Sequence, residues 1–243
     1  MSTSLAAFAL PFHLRLRLRL GLAVAGALSL VACSDPVAPP RAQSGGGSGA
    51  QPSTGGDGEG TRLAEAPPAP LRVAILAGGC FWCLEGPLER VPGVGEVFSG
   101  YTGGHVDHVT YHQIGRGDTG HVEAVRVVYD PQQVTYAQLL EVFVRNIDPT
   151  QDDGQFCDRG TQYRSAIFVS DAEERAAAEA ALRAAAAQLG RPVVTEIREA
   201  GAFWLAEDYH QDFYRTHAAH YQRYRTGCGR DARLEQLWGS AAH

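Results

Sequence analysis

The chain has 243 residues, 21 basic and 27 acidic side chains, a formal net charge of −6 and 44% hydrophobic residues. The hydrophobic content is enough to bury a sizeable core, which excludes a globally disordered or collagen-like chain. The acidic balance argues against a nucleic-acid-binding protein, because phosphate contacts need a clustered positive face. Five cysteines are too few for a disulfide scaffold, so each must be placed separately.

The N-terminal segment has the pattern of a secretory signal. Arg15, Arg17 and Arg19 alternate with leucines and precede an apolar run over 20–32. As a helix this run rises only about 20 Å, short of the roughly 30 Å hydrocarbon core, which favours a cleaved signal peptide over 1–32.

The predicted signal ends in Leu30-Val31-Ala32-Cys33, which resembles the lipobox of bacterial lipoproteins. The resemblance implies acylation at Cys33 and an exported protein, lipid-anchored on the periplasmic side of the cell envelope. An ordinary cleaved signal with an incidental cysteine is the alternative. Residues 33–70 are rich in Pro, Gly, Ser and Ala and predict a lipidated N-terminus with a flexible linker, followed by one folded domain over 71–243.

The first half of this domain predicts three strands and two helices. Apolar runs predict strands over 71–77, 94–104 and 120–129, with a helix over 84–91 between the first two strands. Thr135 and Gln138 form a capping box before an amphipathic helix that extends to Ile147.

The second half continues the alternation of strands and helices. A polar loop over 148–162 precedes a strand over 164–169. Ser170 with Glu173 is predicted to cap a long alanine-rich helix that stops at Gly190, before a strand over 192–198 and a helix over 206–216. Because some neighbouring strands have no helix between them, the class is α+β or α/β in two layers.

Cys80 is the first candidate for chemistry, because it lies between a buried strand and a helix. The unpaired N–H groups of a helix N-terminus favour a thiolate and are expected to lower the pKa of Cys80. The spacing Cys80-x-x-Cys83 fits a thioredoxin-like redox pair, half a zinc site or two packed thiols. Zinc is disfavoured because no second ligand pair is present, and Phe81 and Trp82 supply apolar walls typical of a pocket.

Six motifs occur in the order found in A-type peptide methionine sulfoxide reductases, and the chain resembles this family from about Val73 to Tyr214. The motifs are Gly79-Cys-Phe-Trp82, Gly100-Tyr-Thr-Gly-Gly104, Thr110-Tyr111, Gly117-Asp-Thr-Gly-His-Val-Glu-Ala124, Tyr129-Asp-Pro131 and Gly160-Thr-Gln-Tyr-Arg-Ser165. The resemblance implies an α+β fold, a two-layer α/β sandwich with a ferredoxin-like core. It also implies reduction of methionine S-sulfoxide, in oxidised proteins and as the free amino acid, and thus protein repair.

The resemblance also implies a role for each matching residue. A sulfoxide sulfur becomes a good electrophile only when its oxygen is protonated, so the reaction needs both a thiolate and an acid. The implied roles are nucleophile for Cys80, acid for Glu123, oxygen-binding hydroxyls for Tyr111 and Tyr163, a methyl pocket for Phe81 and Trp82, and substrate orientation for Asp158. His121 and His210 also match family positions and are expected to make structural hydrogen bonds.

The Cys80 sulfenic acid must then be condensed to a disulfide by a second thiol. Cys228 is favoured because a flexible C-terminal thiol is the usual resolving cysteine of the family, while Cys83 and Cys157 stay open. A thioredoxin-like reductant is the implied electron donor, without metal or other cofactor. Two other classes are weighed against this enzyme: a module that binds oxidised methionine without turnover, which would need neither Cys80 nor Glu123, and a zinc-stabilised interaction domain.

Overall fold

A computed structural model of the protein describes residues 60–63 and 66–239. The chain divides into two units, 1–51 and 52–243, and every described residue belongs to the second. The predicted signal peptide, Cys33 and most of the predicted linker lie outside the described residues. Within the described ranges, no helix combines the length and the apolar character needed to cross a membrane.

The core of the domain is a sheet of seven strands, in the spatial order β1-β9-β3-β4-β2-β7-β8. Every neighbouring pair is antiparallel except β7 and β8, which are parallel. Two further short strands, β5 and β6, pair only with each other. The strands are β1 (Thr61–Arg62), β2 (Arg72–Ala77), β3 (Val94–Thr102), β4 (Val122–Tyr129), β5 (Gly154–Gln155), β6 (Asp158–Arg159), β7 (Ala166–Val169), β8 (Glu196–Glu199) and β9 (Phe203–Leu205).

Seven α-helices are described beside the sheet. They are α1 (Trp82–Glu89), α2 (Tyr111–Ile114), α3 (Tyr136–Arg145), α4 (Ala172–Leu189), α5 (Phe213–Thr216), α6 (Ala218–Gly227) and α7 (Arg230–Trp238). The predicted capping box of α3 is confirmed, because the Thr135 hydroxyl accepts from the Gln138 backbone N–H and the Gln138 side chain accepts from the Thr135 backbone N–H.

The chain order β2-α1-β3-β4-α3-β7 with the spatial order β7-β2-β4-β3 is the ferredoxin-like arrangement. Alternate side chains of β2 enter different clusters: Leu76 packs with Leu84 of α1 and Phe143 of α3, while Ile75 joins a smaller cluster on the other face. The large cluster therefore joins the sheet to the helices. The predicted α+β class and two-layer sandwich are confirmed.

Three local predictions need correction. The end of the predicted flexible linker is ordered, since Thr61 and Arg62 pair with Leu205 and Trp204. The N-cap of α4 is Asp171, one residue later than predicted, because its carboxylate accepts the Glu174 backbone N–H at 2.8 Å.

The predicted helix over 206–216 is broken into a short 3-10 turn at Asp208–His210 and α5. The break follows from Gln211, whose side chain bonds both the backbone N–H and the carbonyl of Ser99 at 3.0 and 2.9 Å. Asp212 then adopts a φ of 52°, in the left-handed region that a helix cannot continue through.

Candidate active site

A small cavity of about 70 Å³ lies at the end of the sheet, where five segments meet. One water occupies about 30 Å³ in the liquid, so the cavity holds only a few non-hydrogen atoms. The lining brings together every predicted catalytic and substrate-binding residue, and one tyrosine that the sequence did not indicate: Cys80, Phe81, Trp82, Tyr111, Glu123, Asp158, Tyr163 and Tyr224.

The turn between β2 and α1 places Cys80 and Phe81 against the carboxyl of Glu123. Gly79 has a φ of 80°, and a Cβ at this position would lie 2.5 Å from Cβ of Gln155, so glycine is required for the close approach. The backbone N–H of Phe81 donates to Oε2 of Glu123 at 3.1 Å. The first turn of the helix and the central strand β4 thus hold the thiol and the carboxyl in one site.

The loop that follows α3 carries Asp158 and Tyr163 into the cavity. Gln155 is fully buried in this loop and bonds the backbone N–H and the carbonyl of Asp148, both at 2.8 Å. These two hydrogen bonds satisfy both backbone groups of Asp148 and hold the loop in one conformation. The sequence contained no sign of this role, because a glutamine in a polar loop is ordinarily exposed.

The expected lowering of the Cys80 pKa is wrong. Burial raises the pKa of Cys80 well above its ordinary value, and a hydrogen bond that Cys80 donates to Cys83 raises it further. The same hydrogen bond lowers the pKa of Cys83 to about 6, helped by the guanidinium groups of Arg230 and Arg225. Desolvation and the neighbouring sulfur outweigh the helix N-terminus, so the thiolate of the resting pair belongs to Cys83.

Glu123 is a carboxyl that burial keeps protonated near neutral pH. Glu123 is 2% exposed, and burial raises its pKa to about 8. The hydrogen bond from the Phe81 N–H favours the ionised form, but its effect on the pKa is smaller than that of burial. The upward shift expected from the sequence is confirmed, and the role of Glu123 as an acid stays a prediction.

Tyrosine hydroxyls line the cavity beside Glu123. Tyr111 and Tyr163 are hydrogen-bonded to each other, and burial raises the pKa of Tyr111 to about 12 and that of Tyr163 further, so both are neutral donors. The hydroxyl of Tyr224 donates to the Asp158 carboxylate and also lies within hydrogen-bonding distance of the Cys80 sulfur. Nothing in the sequence separates Tyr224 from Tyr221, because the contact depends on how α6 packs.

Aromatic rings also pack against Trp82. Trp82 stacks on Phe213 with ring centroids 3.8 Å apart, and the ring of His210 lies 5.1 Å from Phe81 and 5.6 Å from Trp82. The expected structural hydrogen bonds of His210 are wrong, because neither ring nitrogen has a hydrogen-bond partner among the described residues, and Nε2 lies 3.8 Å from Oε2 of Glu207. Burial lowers the pKa of His210 to about 4, so it packs as a neutral ring.

Burial lowers the pKa of His121 to about 4 as well, and its interaction with the backbone of Thr119 opposes that shift. The Nδ1 atom of His121 has no hydrogen-bond partner in the described part of the chain. A structural hydrogen bond of the His121 ring therefore stays a prediction.

Cys157 and Cys228 form a disulfide with their Cα atoms 5.0 Å apart. The free, flexible Cys228 thiol expected from the sequence therefore needs correction: Cys228 lies at the end of α6 and is already bonded. With Asp158, this pair is close enough to share a metal ion, but disulfide sulfurs lack the thiolate charge that ligation requires. The cavity combines a protonated acid, neutral hydroxyls and a thiol, which can protonate a bound oxygen while sulfur attacks its neighbour.

Comparison with known proteins gives concordant matches. The family model described as peptide methionine sulfoxide reductase matches residues 72–242. The peptide methionine sulfoxide reductase MsrA 2 of Caulobacter vibrioides is 49% identical over 166 residues, covering 68% of this chain and 85% of that protein. The peptide methionine sulfoxide reductase MsrA/MsrB of Vibrio cholerae is 49% identical over 170 residues, covering 69% of this chain but only 45% of that protein. The solved structure of methionine sulfoxide reductase A of Corynebacterium diphtheriae is similar with a TM-score of 0.57 and 32% identity, covering 64% of this chain and 78% of that one.

Proposed function

The chain belongs to the peptide methionine sulfoxide reductase family, and from this premise we propose that it reduces methionine S-sulfoxide in oxidised proteins, and as the free amino acid, to methionine. Cys80 is the nucleophile and Glu123 the acid of this reaction. The single observation that carries the proposal is the pairing of a buried, protonated carboxyl with a cysteine in one cavity of a few atoms' volume.

Groups in the cavity, with Cys83 beside it, can carry out the first step. The Cys80 sulfur gives up its proton to the Cys83 thiolate, to which it is hydrogen-bonded, and attacks the sulfoxide sulfur. Glu123 gives its proton to the sulfoxide oxygen, and the Tyr111 and Tyr163 hydroxyls donate hydrogen bonds as charge develops there. The S–O bond of the sulfoxide and the transient bond between the two sulfurs break as the oxygen passes to Cys80, so methionine leaves and Cys80 becomes a sulfenic acid.

The shape of the cavity supports recognition of one sulfoxide epimer. A sulfoxide sulfur is a stereocentre that carries an oxygen, a methyl group and the rest of the side chain. The proposed oxygen donors, Glu123, Tyr111 and Tyr163, and the proposed methyl wall, Phe81 and Trp82, are separate groups around Cys80. With both positions fixed, only one epimer presents its remaining substituent to the mouth of the cavity.

The test is reduction of a chromophore-labelled methionine sulfoxide by the full chain with dithiothreitol, which replaces the physiological reductant. We expect turnover of the S epimer at least 100-fold faster than that of the R epimer. Comparable turnover of both epimers, or binding without any methionine formed, would contradict the proposal and favour a module that only binds.

We also propose that the protein is exported, acylated at Cys33 and held on the periplasmic side of a bacterial cell envelope. The lipobox-like Leu30-Val31-Ala32-Cys33 supports this proposal, and a thioredoxin-like dithiol carrier in that compartment would recycle the enzyme. We expect Cys33→Ala to move the protein from the membrane to the soluble envelope fraction, measured by fractionation and immunoblotting. A Cys33→Ala protein that stays with the membrane would refute the lipid anchor.

A further inference from the structure

We propose that Glu207 is a positioning residue of this active site, whose carboxylate fixes Tyr111 at the cavity and favours the proton-carrying form of Glu123. The inference rests on the proposed function, because Tyr111 and Glu123 are groups proposed to act on the sulfoxide oxygen. Glu207 does not line the cavity itself, so it acts through these two neighbours.

Glu207 lies on the segment that follows β9. This strand pairs with β3, and the Ala206 N–H donates to the Ser99 carbonyl at 2.9 Å, so the sheet fixes the start of the segment. Glu207 then precedes the 3-10 turn, where its backbone carbonyl accepts the His210 N–H at 2.8 Å. Both ends of the residue are therefore held by regular backbone contacts, and its half-buried side chain has a defined place beside the site.

One carboxylate oxygen of Glu207 holds the backbone of Tyr111. Oε1 accepts the Tyr111 N–H at 2.8 Å. Tyr111 is the first residue of α2, where an N–H has no partner within the helix, and the preceding Thr110 N–H already donates to Gln113. Because α2 is a single turn of four residues, the contact with Glu207 fixes the backbone from which the Tyr111 side chain reaches the cavity.

The other carboxylate oxygen anchors a buried tyrosine beside the acid. Oε2 accepts the Tyr101 hydroxyl at 2.8 Å, and Tyr101 is 0% exposed, so its hydroxyl needs an acceptor inside the protein. Tyr101 of β3 lies opposite Glu123 of β4 in the register of the sheet, and its ring centroid is 5.9 Å from that of Phe81. Glu207 thus joins the helix that carries Tyr111 to the strand next to Glu123.

The charge of Glu207 adds to the effects that keep Glu123 protonated. Burial is the largest cause of the raised pKa of Glu123, about 8, and the negative charges of Asp158, Cys83 and Glu207 raise this pKa further. Asp158 lines the cavity, and Cys83 accepts a proton in the proposed first step. Glu207 is therefore the charge that can be removed without altering a group that touches the substrate or takes part in proton transfer.

The other groups around Glu123 and Glu207 are neutral near pH 7. Burial raises the pKa of three tyrosine hydroxyls that face Glu123, so they keep their protons: Tyr101, Tyr111 and Tyr163. Cys80 also keeps its proton, because burial raises its pKa well above the ordinary value. His210 Nε2 lies 3.8 Å from Oε2 of Glu207, but burial lowers the pKa of His210 to about 4, so the neutral ring does not cancel the charge of Glu207.

The first test is the pH dependence of methionine release in the first turnover of the full chain, with methionine S-sulfoxide and no reductant. We expect the native rate to fall with a midpoint near pH 8. In Glu207→Gln, which removes the charge but keeps an acceptor oxygen, we expect a midpoint about 0.5–1 pH unit lower. Glu207→Asp keeps the charge and should retain the native midpoint. A purely structural contact would leave the midpoint of Glu207→Gln unchanged.

The second test concerns the hold on Tyr111. Glu207→Ala removes both acceptor oxygens, so at pH 6.5 we expect the rate at saturating substrate to fall about tenfold, with the half-saturating concentration changed less than about threefold, because Tyr111 acts on charge that develops in the transition state. Glu207→Gln should stay within about threefold of the native rate at this pH. Urea unfolding of each variant shows whether it is folded.

Asp208→Asn is the matched control, because Asp208 is the next residue, is exposed and does not line the cavity. It removes one negative charge from the same turn and should keep the native rate and midpoint. Equal midpoints for folded Glu207→Gln and the native protein, an equal shift in Asp208→Asn, or a native-like rate in folded Glu207→Ala would overturn the inference. A native rate that did not fall near pH 8 would overturn it too, because Glu207 is proposed to act through Glu123. If the native protein formed no methionine, the proposed function itself would fail.

Discussion

Replacement of Cys80 with serine is expected to abolish reduction of methionine S-sulfoxide, with a loss on the order of 10⁴- to 10⁶-fold in kcat, as for other removed nucleophiles. Serine keeps the volume of the side chain, but its hydroxyl loses a proton far less readily than a thiol and is a weaker nucleophile. The measurement is methionine formed per chain, by chromatography, with dithiothreitol as the reductant.

Cys157→Ser is the matched control for this variant, because it also removes one sulfur near the cavity. Cys157 is exposed and bonded to Cys228, and it does not line the cavity. We expect this control to release one methionine per chain in the first turnover, as the native protein does. Unimpaired turnover by Cys80→Ser, or an equal loss in Cys157→Ser, would refute the assignment of Cys80.

Strands and helices whose sequence signals lie within the element itself could be predicted from the sequence. The strand β2 is an apolar run that ends at two glycines, and α3 combines a capping box with helical spacing, so both have signals within about ten residues. The N-cap of α4 lies one residue after the predicted one, because Ser170 and Asp171 are both good caps. The carboxylate of Asp171 is the stronger acceptor.

Features that depend on tertiary packing could not be predicted in this way. The motifs brought Cys80, Glu123 and Tyr163 to the site, but Tyr224 reaches the site only through the packing of α6. The pKa of Cys80 illustrates the same limit. A helix N-terminus is visible in the sequence, whereas the burial and the sulfur contact that outweigh it are properties of the folded chain.

The disulfide is a third feature of this kind. Four cysteines of the folded domain allow three pairings, and spacing does not choose among them. The structure joins Cys157 of the loop after α3 to Cys228 of the C-terminal helices, and leaves Cys80 and Cys83 free. The sequence alone therefore does not show which of the four sulfurs are bonded to each other.

Glu123→Gln is expected to lower kcat for methionine S-sulfoxide by about 10²- to 10⁴-fold, the range for a lost general acid. Glutamine can still accept the Phe81 N–H, so the turn at Cys80 is retained, but it has no proton to give. Because the pKa of Glu123 is about 8, the native rate should fall as the pH rises through 8, and the residual rate of the variant should not.

Although Glu123→Gln is expected to lose activity, it is expected to become more stable than the native protein as the pH rises. The folded pKa of Glu123, about 8, lies above the unfolded value of 4.5, so the folded state binds the extra proton between these values. The native free energy of unfolding therefore falls as the pH rises through that window, by at most about 1.4 kcal/mol per pH unit for this group. Glutamine removes this loss, so the variant should gain stability over the native protein as the pH rises, measured by urea unfolding.

Glu85→Gln is the control that separates the two effects. Glu85 is also fully buried, burial also raises its pKa to about 8, and it accepts hydrogen bonds from the Ser99 hydroxyl and the Asp212 N–H outside the cavity. We expect the same direction of change in stability with pH and kcat within about threefold of the native value. If Glu85→Gln lost as much activity as Glu123→Gln, loss of a buried carboxyl would be sufficient explanation, and the acid role of Glu123 would be refuted. Activity lost only in Glu123→Gln ties proton donation to the Glu123 carboxyl, which lines the cavity together with Cys80.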